Sequence, residues 1–336
     1  MEKYNFFKNI TKNKVLLFLN IVFIIIILIL SIILISKSFP SVNFSKITRD
    51  QDNNFKFTNP ILDCEDINQS ENTYISFEKI NKEVDSLKDK YNVKDASLYF
   101  RDLNNGPWVG VNEQIIFSPA SLLKVPVVMA LFKYAEQYPE ILRKEFMITE
   151  SNVQADLNQN ITFPDILKKD NKYTILQIVE SMIKKSDNAG VGIVINSIPS
   201  DYISAVFNSV GVPYKDVDHE VSLSVKDYSG FFRVLFNSSY LSREMSEKIL
   251  NILSQSEYKD GLVAGIPDGI TVAHKFGERS GNNIYQLHDC GIIYYPNNPY
   301  ILCVMTLGNS FKNQESLIQD ISSYIYTEID KEKKNQ

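Results

Sequence analysis

The segment 118–138 (SPASLLKVPVVMALFKYAEQY) constrains the fold most, because as a helix it is apolar on most sides. A helix of that kind is buried rather than laid on a surface, so the chain must build layers around it. Pro126 falls in its second turn, where a kink is expected. At its head stand Ser121 and Lys124, and residues three apart share a helix face. A serine hydroxyl attacks an acyl carbon when an adjacent base takes its proton. Lys124 can be that base if burial or a neighbouring cation lowers its pKa toward neutrality. Spacing alone does not select the pair, since Ser76/Lys79, Ser181/Lys184 and Ser256/Lys259 share it. The plain alternative is an N-cap serine followed by a solvated lysine, and so apolar a helix is a poor place for an exposed lysine.

The layers are legible on either side. Phe77, Ile80, Val84, Leu87 and Tyr91 recur in steps of three and four, as on an amphipathic helix. Segments 96–103 and 108–111 are β-rich and flank Asn104-Asn105-Gly106, a hairpin signal. The stretch 141–171 is mixed and reads as helical pieces and loops. Thr174 with Gln177 and Ser224 with Asp227 are capping boxes ahead of periodic apolar runs, and Ser242 starts a helix through Leu253. Segments 270–276, 286–295 and 300–307 are β-rich again, and Leu317, Ile321, Tyr324, Ile325 and Ile329 close the chain as a helix. These elements predict an α/β (α+β) fold with one antiparallel sheet of about five strands, flanked by N- and C-terminal helices. The helical middle becomes an inserted lobe, and a cleft is expected where lobe meets sheet.

Ahead of this domain, 15–35 (VLLFLNIVFIIIILILSIILI) is long enough to span a bilayer as a helix. Lys3, Lys8, Lys12 and Lys14 precede it, so the positive-inside rule places 1–14 in the cytoplasm. The expected organisation is a transmembrane signal anchor over 15–36, a polar linker over 37–73 and a domain over 74–332 outside the cell. A cleaved signal peptide is the alternative, but the run is long and no A-x-A-like site follows. A net charge of -5 without a basic cluster beyond the N-terminus argues against nucleic acid. With three His and no Cys-x-x-Cys pair, neither a metal nor another cofactor is expected. If Pro296-Asn-Asn-Pro299 is a hairpin turn, Cys290 falls opposite Met305 and Cys303 opposite Ile292. That diagonal relation predicts free, buried thiols.

Three short motifs follow one another: Ser121-Leu-Leu-Lys124 at a helix start, Ser186-Asp187-Asn188 at a helix end, and Lys275-Phe276-Gly277 closing a strand. In that order, with 117–126, 185–190, 272–275 and 288–294 as supporting stretches, residues 75–330 resemble the serine β-lactamase and penicillin-binding protein superfamily, particularly its class A-like branch. The resemblance implies Ser121 as nucleophile, Lys124 as base and Ser186 as the relay returning a proton to the leaving amine. It implies Asn188 as a holder of substrate amide or of Lys124, and Lys275 as a second cation that attracts an acidic substrate. The strand of Gly277 then aligns the backbone N–H of Glu278 with that of Ser121 as an oxyanion hole.

Two departures qualify the resemblance. Phe276 replaces the usual Thr or Ser whose hydroxyl binds the substrate carboxylate, which leaves Arg279 as the candidate for that contact. The segment 210–224 contains no Glu-x-x-x-Asn pattern to activate a hydrolytic water; Asp218 and Glu220 are its carboxylates. The expectation is an acyl-serine hydrolase that takes β-lactams or peptidoglycan peptides ending in D-Ala-D-Ala and deacylates slowly. A DD-carboxypeptidase and a non-catalytic binding protein of the same fold are the alternatives. His274 and His288 read as strand or core residues.

Overall fold

A computed structural model of the chain describes residues 55–59, 76–104, 106–155, 159–213, 221–281 and 284–334. The apolar run 15–35 and the carboxylates Asp218 and Glu220 lie outside them. Among the described residues, no helix is long and apolar enough to cross a membrane.

The chain enters through α1 (Phe77–Tyr91), then the hairpin β1 (Asp95–Asp102) and β2 (Trp108–Val111), then a short β3 (Ile116–Phe117). A 3-10 turn (Ala120–Leu123) leads into α2 (Lys124–Ala135). The middle holds β4 (Glu145–Met147), α3 (Glu150–Gln154), β5 (Lys172–Thr174), α4 (Ile175–Lys184), α5 (Val191–Asn196) and α6 (Ser200–Ser209). After β6 (Leu223–Ser224) come α7 (Val225–Phe236) and α8 (Arg243–Leu253). The strands β7 (Val272–Gly281), β8 (Ile284–Ile293) and β9 (Tyr300–Gly308) precede α9 (Phe311–Lys334). Five strands form one antiparallel sheet in the order β2-β1-β9-β8-β7, as expected.

The period of two along a strand divides the core. Leu98, Phe100, Leu302 and Val304 face α1 and α9, whereas Tyr99, Ile301, Cys303 and Met305 face the helical lobe. Burial in α2 covers Val125 through Phe132, as an all-round apolar helix requires. Pro126 is the third residue of this helix rather than a member of its second turn. There its missing N–H is one the first turn leaves unpaired in any case.

Local signals set several boundaries. Gln177 N donates to Thr174 Oγ1 (3.3 Å) and Asp227 N to Ser224 Oγ (3.1 Å), closing the two expected capping boxes. Three expectations change. The strand containing Lys275 runs on to Gly281, so Gly277 and Glu278 lie in mid-strand. The middle is not all helical, because β3 pairs with β6 and β4 with β5 in two small ribbons. The late hairpin turns one residue earlier than the prolines suggest: Asn298 N donates to Tyr295 O (3.0 Å), with Asn297 in the left-handed region at φ 58°. Asparagine tolerates that conformation. Cys290 is therefore directly opposite Cys303, and both are free and buried.

The polar linker also needs correction, because part of it is bound to the domain. The N–H groups of Lys56 (2.5 Å), Phe57 (2.8 Å) and Thr58 (2.9 Å) all donate to the Glu247 carboxylate on α8. Phe57 is buried edge-on against Tyr294, whose hydroxyl donates to Phe57 O (3.0 Å), and the Arg243 guanidinium lies over Phe55.

Candidate active site

The cleft between β7 and the helical lobe holds two adjoining cavities that share Ser121, Asn188, Glu278 and Arg279. Ser121 sits in the 3-10 turn just ahead of α2, and Lys124 is the first residue of α2. Ala120, immediately before the serine, has φ 49°, and Ser186 has φ 56°. Left-handed backbone at non-glycine residues costs of order 1–3 kcal/mol each and persists where surrounding structure holds it. Both corners here are held. Ser118 N donates to Gln286 Oε1 (3.1 Å), Ser118 O accepts from His288 Nε2 (2.9 Å), and Ser118 Oγ accepts from Arg279 Nη1 (2.8 Å). Tyr228 OH donates to Leu122 O (2.9 Å).

Gly277 brings the third motif against this turn. A Cβ at that position would stand 2.7 Å from Pro119 O and 3.1 Å from Leu122 N. The strand and the serine turn therefore approach more closely than any side chain allows.

The second corner is fixed by Asp187 rather than by the residues that flank it. Its carboxylate accepts from Ser181 Oγ (2.6 Å), Leu167 N (2.8 Å) and Ala189 N (2.9 Å), and it is buried. That leaves Ser186 facing the two lysines. Lys275 Nζ donates to Ser186 Oγ at 2.9 Å and Lys124 Nζ to the same oxygen at 3.3 Å; Lys124 Nζ also donates to Ser186 O. Lys275 Nζ has a second acceptor in Phe276 O (2.8 Å).

Complete burial holds Lys275 well below the ordinary lysine pKa, and the charge of Lys124 lowers it further, against Asp289 and Glu278. Two ammonium groups on one hydroxyl oppose each other, so a proton on either disfavours one on its neighbour. Desolvation thus disfavours the charge of Lys275. Behind it His274 Nδ1 lies 2.8 Å from Asp289 Oδ1, and Leu262 N donates to Asp289 Oδ2 (2.9 Å). His288 is pushed down to about 4 by burial, so it is a neutral latch between the sheet and Ser118. Both histidines are core residues, as expected.

Phe276 is wholly buried, stacked on Tyr258 at 4.2 Å between ring centroids and edge-on to Phe163. It gives the cleft no hydroxyl. The Arg279 expectation finds the guanidinium lining both cavities and bonded to Ser118. Asn188 also lines both, and its Nδ2 donates to Ala155 O (3.2 Å).

The sequence reading missed 159–161. Gln159 Nε2 donates to Ser186 O (3.2 Å), while Asn160 N and Ile161 N both donate to Glu278 Oε1 (2.7 Å each) and Asn160 Nδ2 to Oε2 (2.7 Å). This loop bridges lobe and strand across the cleft. It lies in a stretch of mixed composition with no motif to mark it.

Ser121 on a strained turn, two buried lysines on the Ser186 hydroxyl and a strand pressed against the serine turn thus meet at one cleft. The β-lactamase enzyme family model matches residues 78–329, and the chain belongs to that family of serine hydrolases. Comparison with curated protein sequences finds no match. Among solved structures, PBP-A is similar at 22% identity and a TM-score of 0.62, covering 75% of this chain and 96% of its own. The acyl-enzyme complex of a PBP-A variant with penicillin G is similar at 21% and 0.64, covering 76% and 97%. A class A β-lactamase from Mycobacterium abscessus is similar at 17% and 0.65, covering 74% and 98%. At these identities the likeness speaks for the fold.

Proposed function

We propose that this chain is a membrane-anchored, extracytoplasmic acyl-serine hydrolase in which Ser121 is acylated by β-lactams or by peptidoglycan peptides ending in D-Ala-D-Ala, and in which deacylation is slow. The observation that carries the reading is the convergence of Lys124 and Lys275 on Ser186 Oγ beside the cavity that Ser121 lines. Lys124, when neutral, takes the Ser121 proton as Oγ attacks the carbonyl carbon. Charge developing on the carbonyl oxygen is met by the backbone N–H groups of Ser121 and Glu278, and losing one such donor costs roughly 10²–10³ in rate. The proton passes from Lys124 through Ser186 to the leaving nitrogen, and Asn188 holds the substrate amide. Arg279 meets the substrate carboxylate in place of the hydroxyl that Phe276 lacks.

Slow deacylation follows from the sequence of 210–224, which carries no Glu-x-x-x-Asn. The anchor rests on the apolar run 15–35 and the lysines before it. PBP-A, whose variant forms an acyl-enzyme with penicillin G, supports the choice of ligand by likeness. A fluorescent penicillin tests the reading: wild type is labelled and Ser121→Ala is not. Labelling with fast turnover of a chromogenic cephalosporin would overturn the slow-deacylation half. Absence of any label would overturn the whole.

A further inference from the structure

One of the two cavities is mainly hydrocarbon. A space of about 480 Å³ opens beside Ser121 and is walled by Val127, Val191, Ile195, Ile203, Phe207 and Val221, from α2, α5, α6 and the approach to β6. Its polar groups, Ser121, Lys124 and Asn188 among them, include the nucleophile and the base. Volumes of roughly 300–1,000 Å³ with an apolar body and a few convergent polar groups are those of small-molecule sites. The neighbouring cavity is polar and is lined by Gln159, Asn160 and Ser280 beside the shared residues.

The two halves have different parts to play. Gln159 binds the carbonyl of Ser186, so the polar half borders the relay that returns a proton to the leaving group. A leaving group that departs protonated into water belongs on that side. Whatever fills the apolar half is then attached within a few bonds to the carbonyl that Ser121 attacks. The cations in the lining of the apolar half are engaged by neighbouring oxygens, Lys124 Nζ by Ser186 and Arg279 Nη1 by Ser118, and its six wall residues carry no charge. An uncharged acyl chain fits that apolar wall, while a carboxylate, where the substrate carries one, is left to Arg279, which lines both cavities.

We propose that the apolar cavity is an acyl-chain pocket, and that the site takes acyl donors with an unbranched aliphatic body of about six carbons, neutral carboxylic esters included. The proposal rests on the acyl-serine reading above. With an ester, the Ser121 proton moves to Lys124 as Oγ bonds to the carbonyl carbon. The C–O bond to the leaving alcohol breaks, and that oxygen takes the proton through Ser186. Water then cleaves the acyl-serine, releasing the carboxylic acid and restoring the serine.

The experiment is a series of p-nitrophenyl esters from acetate to hexanoate on the full chain, with the rate of Ser121→Ala subtracted and Ile195→Trp run alongside. At about 0.8 kcal/mol per buried CH₂, kcat/KM should rise about 4-fold per methylene, roughly two orders of magnitude across the series. Ile195 is 38% exposed, so the indole can be accommodated without unfolding the core, and it shortens the cavity. The hexanoate-to-acetate ratio should then fall at least 10-fold. Serine-dependent turnover with a flat or falling series, or a ratio unmoved in Ile195→Trp, overturns the pocket and leaves the hydrolase reading standing. No serine-dependent turnover together with no penicillin label overturns both.

Discussion

Gly277→Ala probes how closely β7 must approach the nucleophile. The new Cβ would stand 2.7 Å from Pro119 O, where ordinary contact begins near 3.4 Å, so strand and turn must part by about 0.7 Å. Pro119 directly precedes the strained Ala120 and the nucleophile, and Glu278 N–H follows the substituted residue. On the proposed mechanism the shift opens the gap between the two oxyanion donors. A misplacement near 1 Å costs up to roughly 10²-fold in rate, so the acylation rate with fluorescent penicillin should fall about 10- to 100-fold. Overpacking costs about 1–3 kcal/mol, and at roughly 2–4 °C per kcal/mol for a domain of this size Tm should drop by about 2–12 °C. Gly281→Ala is the control: it lies on the same strand with nothing within 4 Å of its added Cβ, and should label like wild type. Gly277→Ala that is acylated at the wild-type rate would refute the close-approach account, and loss in both variants would point to strand damage instead.

Three further outcomes are expected. Lys275 has a pKa well below 10.5 when folded, so the unfolded chain binds the extra proton and stability rises with pH toward 10.5. Thermal melts should show wild type gaining on Lys275→Met as pH rises, and a gap independent of pH would refute the lowered pKa of Lys275. His288 falls from 6.5 to about 4, so stability present above pH 6.5 is lost as pH falls toward 4, by roughly 3 kcal/mol; denaturant titrations of His288→Gln should lack that acid limb, and an unchanged limb would assign it elsewhere. Glu247→Ala strips three backbone donors of their acceptor and should destabilise by about 1–3 kcal/mol. Removing residues 1–60 should cost a similar amount without adding to it, and full additivity would show that the strap and Glu247 act separately.

How far the sequence carried depends on how local each signal is. The caps at Thr174 and Ser224 are set by side chains three residues away, and both were legible. So was the burial of α2, which follows from its own composition. The late hairpin slipped by one residue because prolines at 296 and 299 bracket the turn while Asn297 takes the left-handed position. Strands β3 to β6 are two or three residues long, too short for a period to show. The same division holds in the site. Ser121, Lys124, Ser186 and Lys275 lie in short continuous motifs. The parts that fix them come from elsewhere: Asp187 through Ser181 and Leu167, Ser118 through Gln286 and His288, and Glu278 through Asn160 and Ile161. Phe55 to Asn59 reads as polar tether, because the two aromatic residues that dock it have no period to join.

Intact-mass spectrometry of the protein with benzylpenicillin tests the central claim most directly. Wild type should gain the mass of one penicillin, held on the peptide containing Ser121 and persisting after free drug is removed, while Ser121→Ala gains nothing. An adduct on another residue, or equal modification of Ser121→Ala, would contradict the account.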